Sequence, residues 1–355
     1  MSEAKAEHNA PDAPSASASA AATTVPTVPA LAEHGAVGSI SETELLPDEP
    51  GTGAENDSLK GESIASSSTS VHTSVRQYRE ENGRTYHSYK EGKYIMPNDE
   101  RENERLDVQH NMFILAFDGR LGTSPPNDPK SKVGRVLDVG TGTGVWAMDF
   151  GEDHPEAEVI GIDLSPIQPN FTHSNVKFEV DDIEEEWNYS QPFDYIHSRM
   201  MTLSIKSWKE YIKKCYDNLN PGGYLELNEI DLQPRSDDGT LQEDCSLLKF
   251  ARLWGEAAAM FGRPFLSDLS VLREVMTEVG FEGVSAQKFK WPSNPWARDK
   301  KHKELGHWNL DNSVANLEGF MMAPFTRAHH WTEEEVIVFA MQLVDLRKKA
   351  LCCLT

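Results

Sequence analysis

The first seventy residues of this 355-residue chain contain no phenylalanine, tryptophan or tyrosine. They consist largely of alanine, serine, proline, threonine, glycine and acidic residues, as in the run from Pro14 to Ala22. A segment with so little apolar surface cannot offset the conformational entropy that is lost on ordering. We therefore predict a disordered acidic tail over residues 1–75 and place the hydrophobic core in the remainder of the chain.

Long hydrophobic runs and paired cysteines are also missing. No apolar run approaches the ~18–20 residues of a membrane span, and no charged start leads into the apolar core of a signal peptide. The four cysteines show no CxxC pairing; they are Cys215, Cys245, Cys352 and Cys353. We expect no transmembrane segment and a reduced intracellular compartment, the cytoplasm and/or the nucleus.

Basic residues are scarce relative to acidic ones. The chain has 34 Lys and Arg against 57 Asp and Glu, a formal net charge of −23. The tail contributes −9, from two lysines and eleven acidic residues, and the remainder contributes −14. Phosphate affinity needs a concentrated basic surface, so direct nucleic-acid binding is not expected. A protein partner or a small-molecule substrate stays open.

Hydrophobic periodicity divides the rest of the chain into alternating elements. Short apolar runs predict strands at 135–139, 158–162, 176–180, 193–198, 224–230 and 284–290. Periodic segments predict helices at 101–121, 145–154, 207–219, 241–261, 269–279 and 332–346. Residues 221–223 are expected in a turn, and 291–330 are expected to be irregular. Strands that alternate with helices in this way predict βαβ units and a parallel sheet.

The clearest local pattern is a glycine-rich segment between the first of these strands and the following helix. Glycines there let the backbone approach a ligand closely and adopt dihedral angles that other residues avoid. The spacing GxGxG, with an acid two residues before the first glycine, differs from the GxGxxG that binds a pyrophosphate. An acid at this place repels a pyrophosphate and suits an ammonium group. The predicted cofactor-binding residues here are Asp138, Gly140, Thr141, Gly142 and Gly144.

Acidic residues also end the next two predicted strands. Asp163, followed by Leu164, stands where a carboxylate can accept both hydroxyls of a ribose. The third strand runs into Asp181, Asp182 and Ile183, where an acid can accept from an exocyclic amine while a backbone N–H meets a ring nitrogen. Together these residues fit a nucleoside joined to an amino acid, S-adenosylmethionine. A nicotinamide dehydrogenase is the rival interpretation, and any one of these residues taken alone is equally typical of a simple turn.

Five segments, in this order, resemble class I S-adenosylmethionine-dependent methyltransferases: VLDVGTGTGVW, IGIDLS, FEVDDIEEEW, FDYIHSRM and LNPGGYLEL. The resemblance implies a Rossmann-like α/β fold, a mostly parallel sheet flanked by helices, over about residues 135–290. That family fold usually ends with a seventh strand after the last helix. Here too little apolar sequence follows that helix, so we expect the last strand to be missing.

Three more segments resemble the fungal LaeA-like methyltransferases: RTYHSYKEGKYIMPNDERENERLDVQH, DYIHSRMMTLSIKSW and APFTRAHHW. The family includes regulators of secondary metabolism and development, which implies a velvet-like protein complex. It also includes tailoring enzymes of biosynthetic clusters, which act on small molecules. The resemblance does not choose between them, and the methyl acceptor stays open. It implies a helical cap segment at 76–130 and a methyltransferase domain with helical insertions at 131–355.

The catalytic candidates follow the fourth and fifth predicted strands, where an acceptor would meet the donor. His197 is the predicted general base; the alternative is a hydrogen-bonded histidine that orders the loop after the strand. Arg199 is expected either to bind the donor's carboxylate or to pair with an acid of the run 181–186. Glu229 and Asp231 line the acceptor site or form a solvated strand end.

Aromatic and apolar residues outside the donor-binding segments suggest the walls of the site. Tyr94 lies in a segment that could cover the donor, and the helix with Trp254 and Met260 could line the acceptor pocket; core packing is the alternative for each. His329 and His330 resemble a metal pair but lack further ligands at suitable spacing, so no metal is expected.

Overall fold

The computed structural model describes residues 78–236, 241–266, 268–349 and 353–354. The predicted disordered tail, residues 1–75, lies outside the described residues. The described part begins with a hairpin of β1 (Arg79–Glu81) and β2 (Arg84–Tyr86), followed by α1 (Glu100–Ala116). The Asp99 side chain caps α1 by accepting a hydrogen bond from the Glu102 N–H at 3.1 Å. The helix ends before residue 121, where it was predicted to end, because Asp118 and Gly119 adopt left-handed backbone angles.

The predicted alternation of strands and helices is confirmed. The elements are β3 (Arg135–Val139), α2 (Val145–Asp153), β4 (Glu158–Asp163), β5 (Val176–Val180), β6 (Phe193–Arg199), α3 (Trp208–Asp217) and β7 (Leu219–Asn228). The strands form one parallel sheet in the order β5-β4-β3-β6-β7. The order reverses between β3 and β6, and ligands of such sheets bind outside the carboxyl ends of the strands at this switch point.

The sheet is covered on both faces, because successive strand residues point to opposite sides. Val136 and Leu137 are both fully buried, but in different core clusters. Val136 packs with Trp146 and Phe150 of α2, and Leu137 belongs to the cluster that contains Ile212 of α3. The α/β class predicted for the chain is therefore confirmed.

The predicted turn at residues 221–223 lies inside β7. Phe193 pairs with Leu219 and Tyr195 pairs with Tyr224, so the register shifts across this segment. Gly222 has a φ of 85°, which glycine adopts without strain. The turn-forming residues therefore produce an irregularity in the strand rather than its start.

The last third of the chain is mainly helical. Its elements are α4 (Ser246–Met260), α5 (Ser270–Val279), β8 (Trp291–Pro292), α6 (Lys300–Val314), α7 (Leu317–Ala328), α8 (Glu333–Lys349) and β9 (Cys353–Leu354). The prediction of irregular structure over 291–330 is wrong. The buried side of α6 is partly polar, and Asn309 donates to the Pro292 carbonyl at 2.9 Å, so no apolar period marks it. The helix α7 was missed for another reason: it contains Pro324, and a proline within a segment predicts a helix break.

The sheet has fewer strands than the sequence predicted. Residues 284–290, predicted as a strand, form none. Among the described residues no strand pairs with β7 on the side away from β6, and β9 pairs with β8 in a separate small sheet. Within the described ranges, β7 is therefore an edge strand of the sheet. The described helices also include none that is long and apolar enough to cross a membrane.

Candidate functional site

A cleft opens at the carboxyl ends of the sheet strands, where the topology places a ligand. The empty space in the cleft, together with the open solvent at its mouth, is about 1150 Å³. Almost all of the predicted site residues line it: Asp138, Gly140, Thr141, Gly142, Asp163, Leu164, Asp181, Asp182, Ile183, His197 and Arg199. The structure therefore brings together residues that the sequence spreads over four strands.

The glycine loop owes its shape to residues in left-handed backbone conformations. Gly140 has a φ of 68°, and a Cβ atom there would collide with the Met201 sulfur. The amide groups of Gly140 and Thr141 both donate to the Ile162 carbonyl, at 2.9 and 3.0 Å. These bonds hold the loop against the end of β4, so its backbone forms the floor of the cleft.

Gly144 has a packing role that the sequence did not indicate. It is absent from the cleft lining and stands at the start of α2 with a φ of 82°. A Cβ atom at Gly144 would collide with the ring of Phe178. A glycine at position 144 is therefore required for the packing of α2 against β5, and its contact with the cofactor stays a prediction.

Asp163 ends β4 with both carboxylate oxygens in contact with the backbone. One oxygen accepts from the Gly142 N–H at 2.9 Å and the other from the Ser165 N–H at 2.9 Å. Burial raises the pKa of Asp163, and these two amide donors oppose the rise. Each oxygen keeps a lone pair for a further donor, which suits the two hydroxyls of a ribose.

The acidic run after β5 is tied to a lysine that the sequence motifs did not indicate. Asp182 is 2 % exposed and forms an ion pair with Lys93, from the segment before α1. Lys93 also lies 3.2 Å from a Glu184 oxygen. The Asp182 carboxylate accepts from the Glu184 N–H at 3.0 Å, and the Asp181 carboxylate accepts from the Asp182 N–H at 2.7 Å. These bonds order the loop that lines this side of the cleft.

His197 lies in a closed network rather than at an open surface. It is 1 % exposed, and its Nδ1 atom is 2.8 Å from an Asp138 carboxylate oxygen. Its Nε2 atom is 3.3 Å from the Asn228 amide nitrogen, and its ring stacks on Trp146 with centroids 3.8 Å apart. The other Asp138 oxygen accepts from the Thr141 hydroxyl at 2.6 Å. This arrangement favours the alternative of an ordering histidine over the predicted general base.

Arg199 pairs with none of the acids of the run 181–186. Its guanidinium lies 3.2 Å from His110 Nδ1 and stacks over the Phe113 ring at 4.7 Å. His110 in turn is 2.8 Å from a carboxylate oxygen of Asp149. Burial lowers the pKa of Arg199 to about 10, which leaves it charged at neutral pH. The bond to His110 uses one of five N–H donors, so others can bind a carboxylate.

The wall of the cleft formed by α1 was missed by sequence analysis. Glu102, Leu106 and Gln109 line the cleft and follow one another at helical spacing. Glu102 is 1 % exposed and pairs with Arg105 at 2.8 Å. These residues lie in the segment 84–110 that carries the LaeA-like resemblance, but nothing in that segment indicated that they face the cleft. Tyr94 also lines the cleft, as the sequence suggested.

Comparison with known proteins assigns the family. A family model described as "Methyltransferase domain" matches residues 108–286. "Methyltransferase pytC" of Aspergillus terreus is 40% identical over 77% of this chain and 83% of that protein. "Secondary metabolism regulator LAE1" of Cochliobolus heterostrophus is 38% identical over 71% of this chain and 82% of that protein. "Protein-methionine methyltransferase laeA" of Emericella nidulans is 34% identical over 73% and 69%, respectively.

This chain is a LaeA-like methyltransferase. As the sequence predicted, its methyl donor is S-adenosylmethionine. A solved phosphoethanolamine N-methyltransferase 2 of Haemonchus contortus, in complex with S-adenosyl-L-methionine, shares 18% identity. That alignment covers 71% of this chain and 50% of that one, with a TM-score of 0.39.

Two predicted walls of the acceptor site lie elsewhere in this methyltransferase. Trp254 packs in a core cluster with residues of α7 and α8, and Met260 is 64 % exposed. His329 Nε2 lies 2.8 Å from the Leu253 carbonyl oxygen. Over the described ranges, no group of three or more His, Cys, Asp or Glu is arranged to hold a metal ion.

Glu229 does not line the cleft of the methyltransferase, but it holds the loop that does. One of its oxygens accepts from the Met201 N–H at 2.8 Å. The other accepts from the N–H and the hydroxyl of Thr202, at 3.0 and 2.7 Å. Burial raises the pKa of Glu229 to about 7, and these donors oppose the rise.

The Glu229→Gln variant is expected to lose one component of the pH dependence of stability. Because the folded protein holds this proton more tightly than the unfolded chain, the carboxyl favours folding at low pH. That contribution, about 3 kcal/mol, is lost as pH rises from 4.5 to about 7. Denaturant unfolding across this range measures it. The matched Asp231→Asn variant removes a carboxylate at the same strand end; an equal effect there would contradict the assignment to Glu229.

Proposed function

We propose that this protein is a LaeA-like regulator of fungal secondary metabolism or development, which transfers methyl groups within a protein complex. The methyl-transfer part is supported by the cleft at the switch point of the sheet, which is lined by most of the residues predicted to bind the donor. Relatives named as secondary metabolism regulators, at 33–38% identity, support the regulatory part.

The donor is proposed to lie along the ends of four strands. The Asp163 carboxylate accepts the ribose hydroxyls, and Asp182 with the Ile183 N–H binds the adenine ring. Arg199 binds the amino-acid carboxylate of the donor. When bound, S-adenosylmethionine supplies a methyl group on a positively charged sulfur. The protein's own contribution is to align that group with an acceptor and to exclude water.

His197 and Asp138 are proposed to support this alignment rather than to move a proton. Both His197 ring nitrogens are within hydrogen-bond reach of protein groups, and both Asp138 oxygens already accept hydrogen bonds. Such a network holds the glycine loop against β6 through Thr141. It favours an acceptor that carries no proton on its nucleophilic atom, because such an acceptor needs no general base.

The acceptor class proposed here is the thioether sulfur of a protein methionine. A thioether has no proton to remove. It therefore needs no free base, and both ring nitrogens of His197 are already within hydrogen-bond reach of protein groups. The name of the Emericella nidulans relative, a protein-methionine methyltransferase, supports the same class. An acceptor on a protein also fits the proposed work in a regulatory complex, in the nucleus and/or the cytoplasm.

A second candidate is a tailoring enzyme that methylates a small molecule. The observation in its favour is the 40% identity to a relative named only as a methyltransferase. The open mouth of the cleft would admit such a substrate. The two candidates share the donor site and differ only in the acceptor.

Isotope transfer separates the two candidates. The full chain is incubated with methyl-deuterated S-adenosylmethionine and a fungal extract, which is then divided into protein and small-molecule fractions. We expect mass spectrometry to find the labelled methyl on methionine residues of protein. Label confined to the small-molecule fraction would overturn the regulator and support the tailoring enzyme. Label in neither fraction, with a donor-binding chain, would contradict both.

The proposed complex is tested with the full chain and with a chain that lacks residues 1–70. We expect a velvet-like regulator to co-purify with the full chain at equimolar yield. If both the full chain and the chain that lacks residues 1–70 elute from native extract as monomers, with no such protein bound, the proposed regulatory complex is contradicted.

A further inference from the structure

Lys214 on α3 places its ammonium group against three consecutive carbonyl oxygens. The distances from Nζ are 3.0 Å to Ile183, 2.7 Å to Glu184 and 2.6 Å to Glu185. An ammonium group has three N–H donors, so these contacts can use all of them. Lys214 is absent from the lining of the donor cleft and lies in a separate depression on α3.

The segment that Lys214 contacts is strongly acidic. Five of its six residues, from Asp181 to Glu186, are Asp or Glu. Three of these carboxylates are paired with cations from other elements: Asp182 and Glu184 with Lys93, and Glu185 with Lys90. Lys214 adds a positive charge on the backbone side of the segment, where it offsets the mutual repulsion of these acids.

The same peptide units contact Asp182 through their N–H groups. The Glu184 N–H donates to the Asp182 carboxylate at 3.0 Å, and the Glu185 N–H donates to the Asp182 carbonyl at 2.9 Å. Since a peptide unit is planar, a bond to its C=O also sets the direction of its N–H. Lys214 holds the C=O groups of these two units, so it also sets the N–H groups that orient Asp182.

We propose that Lys214 is a positioning residue for recognition of the donor's adenine ring. It acts through the backbone of residues 183–185, which holds Asp182 and Ile183 at the cleft. This inference rests on the proposed placement of the adenine beside Asp182. The neighbouring Lys213 lies on the same helix and pairs with Asp217 instead, which makes it a matched control.

The test compares two ligands that differ only at the base. S-adenosylhomocysteine carries the exocyclic amine, and S-inosylhomocysteine has an oxygen in its place. Calorimetric titration of the wild type is expected to show a clear preference for the adenine ligand. In Lys214→Met this preference is expected to fall about tenfold, as for the loss of a hydrogen bond to a charged group. Lys213→Met is expected to keep the wild-type ratio.

Kinetics provides a second readout that a general loss of stability would not produce. In Lys214→Met the KM for S-adenosylmethionine is expected to rise while kcat at saturating donor stays near that of the wild type. Lys214→Arg keeps a cation with several donors and is expected to restore much of the base preference. If Lys214→Met does not fold, the affinity ratio of the adenine ligand to the inosine ligand is measured with Lys214→Gln instead.

The outcomes are distinct. An unchanged ratio in a folded Lys214→Met or Lys214→Gln variant would overturn the role of Lys214. A wild-type protein that binds both ligands equally would overturn the proposed placement of the adenine itself. A normal wild-type preference that falls equally in Lys213→Met would assign the effect to general charge rather than to the contacts of Lys214.

Discussion

The Glu226→Ala variant is expected to lose roughly 3–5 kcal/mol of unfolding free energy, because it leaves several buried donors without their acceptor. Glu226 lies on β7 and is 6 % exposed. Its carboxylate accepts from the N–H and hydroxyl of Thr123, at 2.7 and 3.0 Å. It also accepts from Ser124, from the Asn127 amide at 3.0 Å and from the Tyr195 hydroxyl at 2.8 Å. The loop before β3 is thus fastened to the sheet by one carboxylate.

The pH dependence of stability gives a second measure of Glu226. Burial opposes its ionisation, but nearby His197 and the hydrogen bonds from Ser124, Thr123 and Tyr195 lower its pKa overall. Its contribution to stability is therefore present above the ordinary glutamate value of 4.5 and is lost as pH falls below it. Glu226→Gln is expected to weaken this loss on acidification.

Denaturant unfolding, followed by circular dichroism and by tryptophan fluorescence, measures the stability loss of Glu226→Ala. The same measurement repeated over a range of pH gives the pH dependence of stability for Glu226→Gln. The control is Glu179→Ala, which removes an exposed glutamate from β5 and is expected to change stability by less than about 0.5 kcal/mol. Equal stability losses in the two alanine variants would show that the bonds to Glu226 contribute little.

The Asp163→Asn variant is expected to weaken binding of S-adenosylmethionine by at least about 100-fold. Both Asp163 oxygens accept from backbone amides, of Gly142 and Ser165. An asparagine NH₂ group in place of one oxygen would face an N–H donor, so the loop must move or the side chain must turn. Either change removes a charged acceptor from the proposed ribose site.

Isothermal titration with S-adenosylmethionine checks this effect. The control Asp153→Asn removes an exposed aspartate at the end of α2 and is expected to bind the donor as the wild type does. Retained affinity in a folded Asp163→Asn protein would refute the proposed ribose contact, while the family assignment would stand.

The donor loop and its acids could be predicted because their chemistry is local. Gly140, Gly142 and Asp163 stand at the ends of adjacent strands, and parallel strands bring these ends to one edge of the sheet. Lys93 could not be predicted in the same way. It meets Asp182 across 89 residues of sequence, and no periodic pattern marks a contact of that kind.

Burial distinguishes between the alternatives that the sequence left open for His197 and Glu229. His197 has the residue type and position of a base, but Trp146 and Asp138 enclose its ring. Glu229 suggested an acceptor wall, but its oxygens face the backbone of Met201 and Thr202. The direction of a side chain at a strand end depends on the loop that packs beside it, which the strand's own sequence does not encode.

The sequence by itself determined the alternation of strands and helices from β3 to β7, the position of the glycine loop and the acids at the strand ends. These features depend on local spacing and on the alternation of apolar residues, which operate within a few turns of chain. Only the tertiary structure decided that α1 and Lys93 wall the cleft, that His197 is enclosed and that Lys214 holds the loop beside Asp182. Those results depend on which distant surfaces pack together, and packing is set by the whole core rather than by any one segment.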